Sequence, residues 1–95
     1  MSNTNLTLVT GSAGRVGQAV VTELLARGHR VRGFDLVPTP GVSDSHVGNI
    51  SDTAACARAC ADATTLIHLA ATPDDDDFMQ RLLPDNIVEI GRAHV

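Results

Sequence analysis

Apolar residues along this chain follow two alternating periods, and their order predicts the architecture. Leu6–Thr10 is a short run of Leu, Val and Thr that reads as a fully buried strand. Over 16–27 the period lengthens: Val16, Ala19, Val20, Leu24 and Leu25 fall on one face of a helix, and Gly28 supplies its stop. Residues 29–35 alternate, with Val31, Gly33 and Phe34 inward, and form a second strand. Pro38-Thr-Pro-Gly41 is a turn or loop. A short third strand fits 45–48. Ser51 is the expected N-cap of the next helix, with Asp52 in its first turn and 54–61 helical by propensity. Residues 64–69 are apolar with β-branched members, a fourth strand. Asp74, the first of four consecutive aspartates, opens a helix that reaches about Leu83 before Pro84 interrupts. Strands alternating with helices predict an α/β fold. The expected form is a partial doubly wound parallel sheet of about four strands, in the order 3-2-1-4, with flanking helices.

Composition narrows the partners. With 95 residues the chain makes one small domain, and with two Phe and no Tyr or Trp its core is aliphatic. A net charge of −4 without a basic cluster argues against a nucleic-acid partner. No run approaches the roughly 20 apolar residues needed to span a membrane. No basic region precedes an apolar stretch at the N-terminus, so no secretory signal is evident. Two cysteines then point to reduced thiols and a cytoplasmic setting.

The chemistry concentrates where the first strand meets the first helix. Thr10 is followed by Gly11, Gly14 and Gly17 in a G-x-x-G-x-x-G spacing. Gly11 turns the chain off the strand, Gly14 clears a path for a phosphate, and Gly17 lets the helix lie close to the strand. The helix N-terminus adds unpaired N–H groups and about half a unit of positive charge, which together suit a pyrophosphate. Arg15 and Val16 would flank that group; Arg15 also fits a solvated surface position. Asp35 closes the second strand about 20 residues on, where a ribose hydroxyl binder belongs. Its carboxylate accepts from a 2′-hydroxyl and repels a 2′-phosphate, so NAD is favoured over NADP. Arg30 and Arg32 leave some room for NADP, although strand alternation turns Arg32 away from Asp35.

Other reactive residues read as structural. His68 has no acidic or serine partner in sequence and is a packed strand histidine. Cys56 and Cys60 share a helix face but lack further ligands for a metal site. The aspartates from Asp74 onward are a solvated entry to a helix whose first turn favours anions. Met79, Leu82 and Leu83 form an apolar helix face. No catalytic residue and no metal site is expected in this chain.

Thr10-Gly-Ser-Ala-Gly-Arg-Val-Gly17 resembles the T-G-x-x-G-x-x-G signature of extended short-chain dehydrogenase/reductases, the group that includes the NAD-dependent epimerase/dehydratase family. Val47-Gly-Asn-Ile-Ser-Asp52 looks like the segment after the third strand, which implies adenine contacts from Asn49 and Ile50. Leu66-Ile-His-Leu-Ala-Ala71 looks like the fourth strand, and places Leu69, Ala70 and Ala71 along ribose and phosphates. Asp85-Asn-Ile-Val88 looks like the start of a following helix, with Asn86 at the cofactor. The resemblance covers the chain to Val88.

The resemblance implies that residues 1–88 are the N-terminal part of an NAD(P)-binding Rossmann domain. The implied whole protein is an oxidoreductase or epimerase/dehydratase acting on a sugar-like or small carbonyl or alcohol substrate, and a homodimer is expected. The alternative is a non-catalytic, dinucleotide-binding redox sensor of the atypical group. Three departures stand out. Asn49 replaces the family's usual Asp, and Glu89 a usual Gly. The catalytic Tyr-x-x-x-Lys has no counterpart here, because the chain has no tyrosine. Residues 89–95 leave the family pattern. One back-translation of them resembles a common sequencing-adapter oligonucleotide, so this tail is expected to be foreign to the gene.

Overall fold

The computed structural model describes residues 5–70 and 88–92. Five strands run in the order β1 (Leu6–Thr10), β2 (Arg30–Asp35), β3 (Ser45–Val47), β4 (Thr65–His68) and β5 (Val88–Arg92), with α1 (Arg15–Ala26) after β1 and α2 (Thr53–Cys60) after β3. They form one sheet, β3-β2-β1-β4-β5, and every neighbouring pair is parallel. The first four stand in the expected order.

Alternation sorts the strand side chains between two cores. Leu8, Phe34 and Leu66 pack with Ala55, Cys56 and Ala59 of α2. Val9 and Val31 face the other way and pack with Val21 of α1. The sheet is thus covered on both sides. That explains why β1 carries no exposed position and reads as an unbroken apolar run.

The inward face of α1 differs from the expected one. Gly17 and Val21 are buried and Leu24 packs beside them, whereas Val16 is 54% exposed and Leu25 41%. Gly17 sets this rotation. A Cβ there would lie 2.7 Å from the Ser12 Cα, so only glycine allows the helix to approach the loop. The face then runs i, i+4, i+7 from position 17 rather than from Val16. At the other end, Gly28 adopts φ +82 and its N–H bonds the Leu25 carbonyl at 3.0 Å, the expected stop.

Two boundaries are corrected. Asp52, not Ser51, caps α2: its carboxylate accepts from the N–H groups of Ala54 and Ala55. A carboxylate satisfies two orphan donors and opposes the positive helix end, which a hydroxyl does less well. Val88 belongs to a strand and not to a helix start. It opens β5, which runs parallel to β4 with a register shift between Leu66 and Ile67. An apolar strand edge presents unpaired N–H and C=O groups, and β5 satisfies those of β4. The aspartates from Asp74, together with Met79, Leu82 and Leu83, lie outside the described residues.

Candidate nucleotide-binding cleft

A cleft of about 190 Å³ opens at the carboxyl ends of the strands, and its lining includes Gly11, Asp35, Asn49, Ile50 and Ala70. Those five come from the ends of four strands. Each was expected at a cofactor, and the fold brings them together. β1 has β2 on one side and β4 on the other, so the chain leaves it in opposite directions. Crevices for ligands form at such a switch point in open α/β sheets.

Each wall has a local cause. Gly11 takes φ +70, and a Cβ there would stand 2.8 Å from the Ala70 nitrogen, so the turn admits the end of β4. Its N–H bonds the Phe34 carbonyl at 3.0 Å. Asp35 Oδ2 accepts from the Ala13 N–H at 2.9 Å and Oδ1 from the Leu36 N–H at 2.7 Å. Both bonds fix the carboxylate at the cleft with lone pairs to spare for a hydroxyl donor. Asn49 Oδ1 accepts from the N–H and hydroxyl of Ser51, which leaves its amide N–H₂ outside that turn.

Thr10 holds the far wall. Its hydroxyl lies 2.6 Å from His68 Nδ1, and both residues are fully buried. The same oxygen accepts from the Leu69 N–H at 3.1 Å and the Ala70 N–H at 3.4 Å. With its lone pairs facing those donors, the hydroxyl gives its own proton to Nδ1, which places the ring proton on Nε2. His68 is therefore the packed histidine expected, and it shapes the cleft through Thr10. Leu69 faces the α1-side core.

Gly14 is the N-cap of α1 and gives no side-chain cap. A Cβ on it would meet only the Gly11 oxygen, at 3.5 Å, an ordinary contact. No packing within the described residues demands a glycine there. The uncapped helix end and the bare Gly14 backbone together suit a phosphate-bearing ligand. Arg15 and Val16 are not brought to the cleft lining. They border a separate groove on the outer face of α1, with Val20 and Leu24. Gly17 serves the helix–loop contact. Ala71 and Asn86 lie outside the described residues.

Phe34, Leu36 and Gly48 also line the cleft and escaped the sequence reading. For Gly48 a signal was present, since it lies within the segment Val47-Gly-Asn-Ile-Ser-Asp52; its need for glycine shows in the structure, where a Cβ would meet the Phe34 ring at 3.0 Å.

The remaining candidates are structural. Arg32 Nε bonds Asp44 Oδ2 at 2.9 Å, and Nη1 bonds the Ala59 and Ala61 carbonyls at the end of α2. Arg32 is turned from Asp35, as alternation requires. Burial pushes the Cys60 thiol up to about 11, with Cys56 adding to the rise and Arg32 opposing it. Cys56 donates its S–H toward the Ile50 carbonyl at 3.2 Å. Neither thiol is set up as a nucleophile. Among the described residues no group of three His, Cys, Asp or Glu is placed for a metal, and no helix is long and apolar enough to cross a membrane.

The chain is similar to known proteins in sequence and in backbone. A 3-beta-hydroxysteroid dehydrogenase of Mycolicibacterium neoaurum is 45% identical over 84% of this chain, and the chain spans 25% of that relative's length. A short-chain dehydrogenase/reductase superfamily protein from Agrobacterium tumefaciens, solved with bound NAD, superposes with a TM-score of 0.68 at 41% identity, covering 82% of this chain and 25% of that one. The UDP-glucose 4-epimerase of Thermus thermophilus in complex with NAD gives a TM-score of 0.62 at 34% identity, covering 70% of this chain and 24% of that one. Residues 7–88 match the model of a single family. The chain belongs to the NAD dependent epimerase/dehydratase family.

Proposed function

We propose that this chain forms the adenosine- and pyrophosphate-binding part of an NAD-dependent oxidoreductase or epimerase. The observation that carries the reading is the cleft in which Gly11, Asp35, Asn49, Ile50 and Ala70 converge. Asp35 would accept from the adenosine ribose hydroxyls, and Asn49 and Ile50 would border the adenine. The Gly11–Gly14 turn and the uncapped end of α1 would hold the pyrophosphate. Bound NAD supplies a hydride acceptor or donor at its nicotinamide. The residues of this chain bind and orient; none moves a proton, because the family's tyrosine has no counterpart among the 95 residues. In the whole protein the substrate would be a sugar-like or small molecule with a secondary alcohol or carbonyl. The relatives are named for a hydroxysteroid in one case and for a sugar nucleotide in the other, both of which carry hydroxyl groups. The chain alone is expected to turn over no substrate.

Titration of the chain with NAD and with NADP, followed by nitrogen–proton NMR, tests the reading. Shifts at Gly11, Asp35, Asn49 and Ala70 on addition of NAD, with weaker binding of NADP, are expected. No binding of NAD, or tighter binding of NADP, overturns it.

A further inference from the structure

The connection between β2 and β3 contains one residue that behaves unlike its neighbours. Leu36, Val37, Pro38, Pro40 and Gly41 are all exposed, yet Thr39 between the two prolines is only 4% exposed. Its Oγ1 lies 2.5 Å from the Oγ of Ser12, which is fully buried. The slot they share exists because Gly33 has no side chain: a Cβ there would stand 2.5 Å from Thr39 Oγ1 and 2.8 Å from Ser12 Oγ. The Thr39 N–H bonds Ser45 Oγ at 2.9 Å. Flanking prolines fix φ on both sides, so little chain entropy is lost in seating the residue.

Thr39 therefore acts as a peg, and the peg meets the middle of the glycine turn. The residue before Ser12 is bonded through its N–H to the Phe34 carbonyl, and the residue after it to the Asp35 carboxylate. The hydroxyl pair supplies the side-chain tie between those two backbone ties. A glycine-rich segment is conformationally permissive, and holding it in one geometry before a ligand arrives lowers the ordering cost of binding.

We propose that Thr39, acting through Ser12, is a positioning residue that holds the glycine turn in its pyrophosphate-receiving shape. The proposal rests on the reading of the cleft as a dinucleotide site. Thr39 is not one of the residues that line the cleft, so its effect passes through the turn. It should favour a ligand that carries a diphosphate over one that ends at the ribose.

The test uses the full chain and the variants Thr39→Val and Thr39→Ser, with NAD and adenosine as probes. Thr39→Val keeps the volume but leaves the Ser12 hydroxyl without its partner. It is expected to weaken NAD about tenfold, as loss of a buried hydrogen bond would. Adenosine should change less than about twofold, since its contacts lie at Asp35, Asn49 and Ile50. Thr39→Ser should restore NAD affinity. In the free protein, exchange of the Ala13 amide proton should quicken about tenfold in Thr39→Val alone. If Thr39→Val does not fold, Ser12→Ala carries the same comparisons. Equal losses for NAD and adenosine, or unchanged Ala13 exchange, overturn the proposal. If the unaltered chain fails to bind NAD, the proposed function falls, and Ala13 exchange still decides whether Thr39 holds the turn.

Discussion

The carbonyl oxygen of Gly11 occupies the space that a Cβ on Gly17 would need. The two glycines are six positions apart, and their contact fixes how closely α1 lies on the turn after β1. Gly14, midway between them, meets nothing closer than 3.5 Å. One motif thus contains glycines with different physical duties, and substitution separates them. Gly17→Ala forces backbone against backbone and is expected to cost at least about 3 kcal/mol, a large part of the stability of a small domain. Gly14→Ala has an ordinary φ of −76 and should leave the thermal midpoint nearly unchanged. It should nonetheless weaken NAD by tenfold or more. Calorimetry and an NAD titration on the two variants check both statements.

Asp35→Ala should narrow the preference for NAD over NADP without abolishing binding. The substitution removes the charge that opposes a 2′-phosphate, while the turn and the helix end remain. NAD should weaken about tenfold, the usual cost of a charge-assisted bond, and NADP should weaken less. The ratio of the two dissociation constants is the measurement; a ratio unchanged from the parent chain contradicts the assignment.

Arg32 is a different case, charged but structural. Its side chain is 14% exposed and ties Asp44 to the end of α2. Arg32→Met keeps the stem and removes the donors, so Asp44 loses its guanidinium partner and keeps the contact of its Oδ1 with His46 Nε2 at 3.1 Å. A loss of about 2 kcal/mol in unfolding free energy is expected. The ratio of NAD to NADP affinity should stay as it was, since Arg32 does not face Asp35. A gain in NADP discrimination would show that it does.

Cys60 makes stability sensitive to alkali. Its thiol titrates near 11 in the folded chain against 9.0 when unfolded, chiefly through burial. The folded state therefore holds its proton more tightly. This contribution is complete below pH 9 and is lost as pH climbs toward 11. Cys60→Ala should flatten the fall in thermal midpoint over that interval, and alkylation of Cys60 at pH 8 should be slow in the native chain.

The element order and most of the cleft could be read from residues near each other in sequence. Turn glycines, a strand-ending aspartate and periodicities of two and 3.6 all act locally. What escaped was set by contacts between segments that strand and helix periodicity do not link. The face of α1 followed Gly17, whose role depends on Gly11 and Ser12 and not on its helical neighbours. The cleft wall includes Phe34, an ordinary core residue by composition. Thr39 sat in a stretch that reads as loop, and no periodicity reveals that one loop residue points inward. The pairing of β5 with β4 likewise depends on an edge that only the assembled sheet creates.

The cleft draws on residues from Gly11 to Ala70, so it exists only when the sheet is assembled. An unfolded chain offers a dinucleotide nothing comparable to bind. By mass action, a ligand that binds only the native form stabilises it by about 2.7 kcal/mol at a hundred times its dissociation constant. For a domain this small, that is a large share of a stability of roughly 5 kcal/mol. The nucleotide then adds to the stability of the folded state as core side chains do, and its concentration tunes how rarely the chain opens.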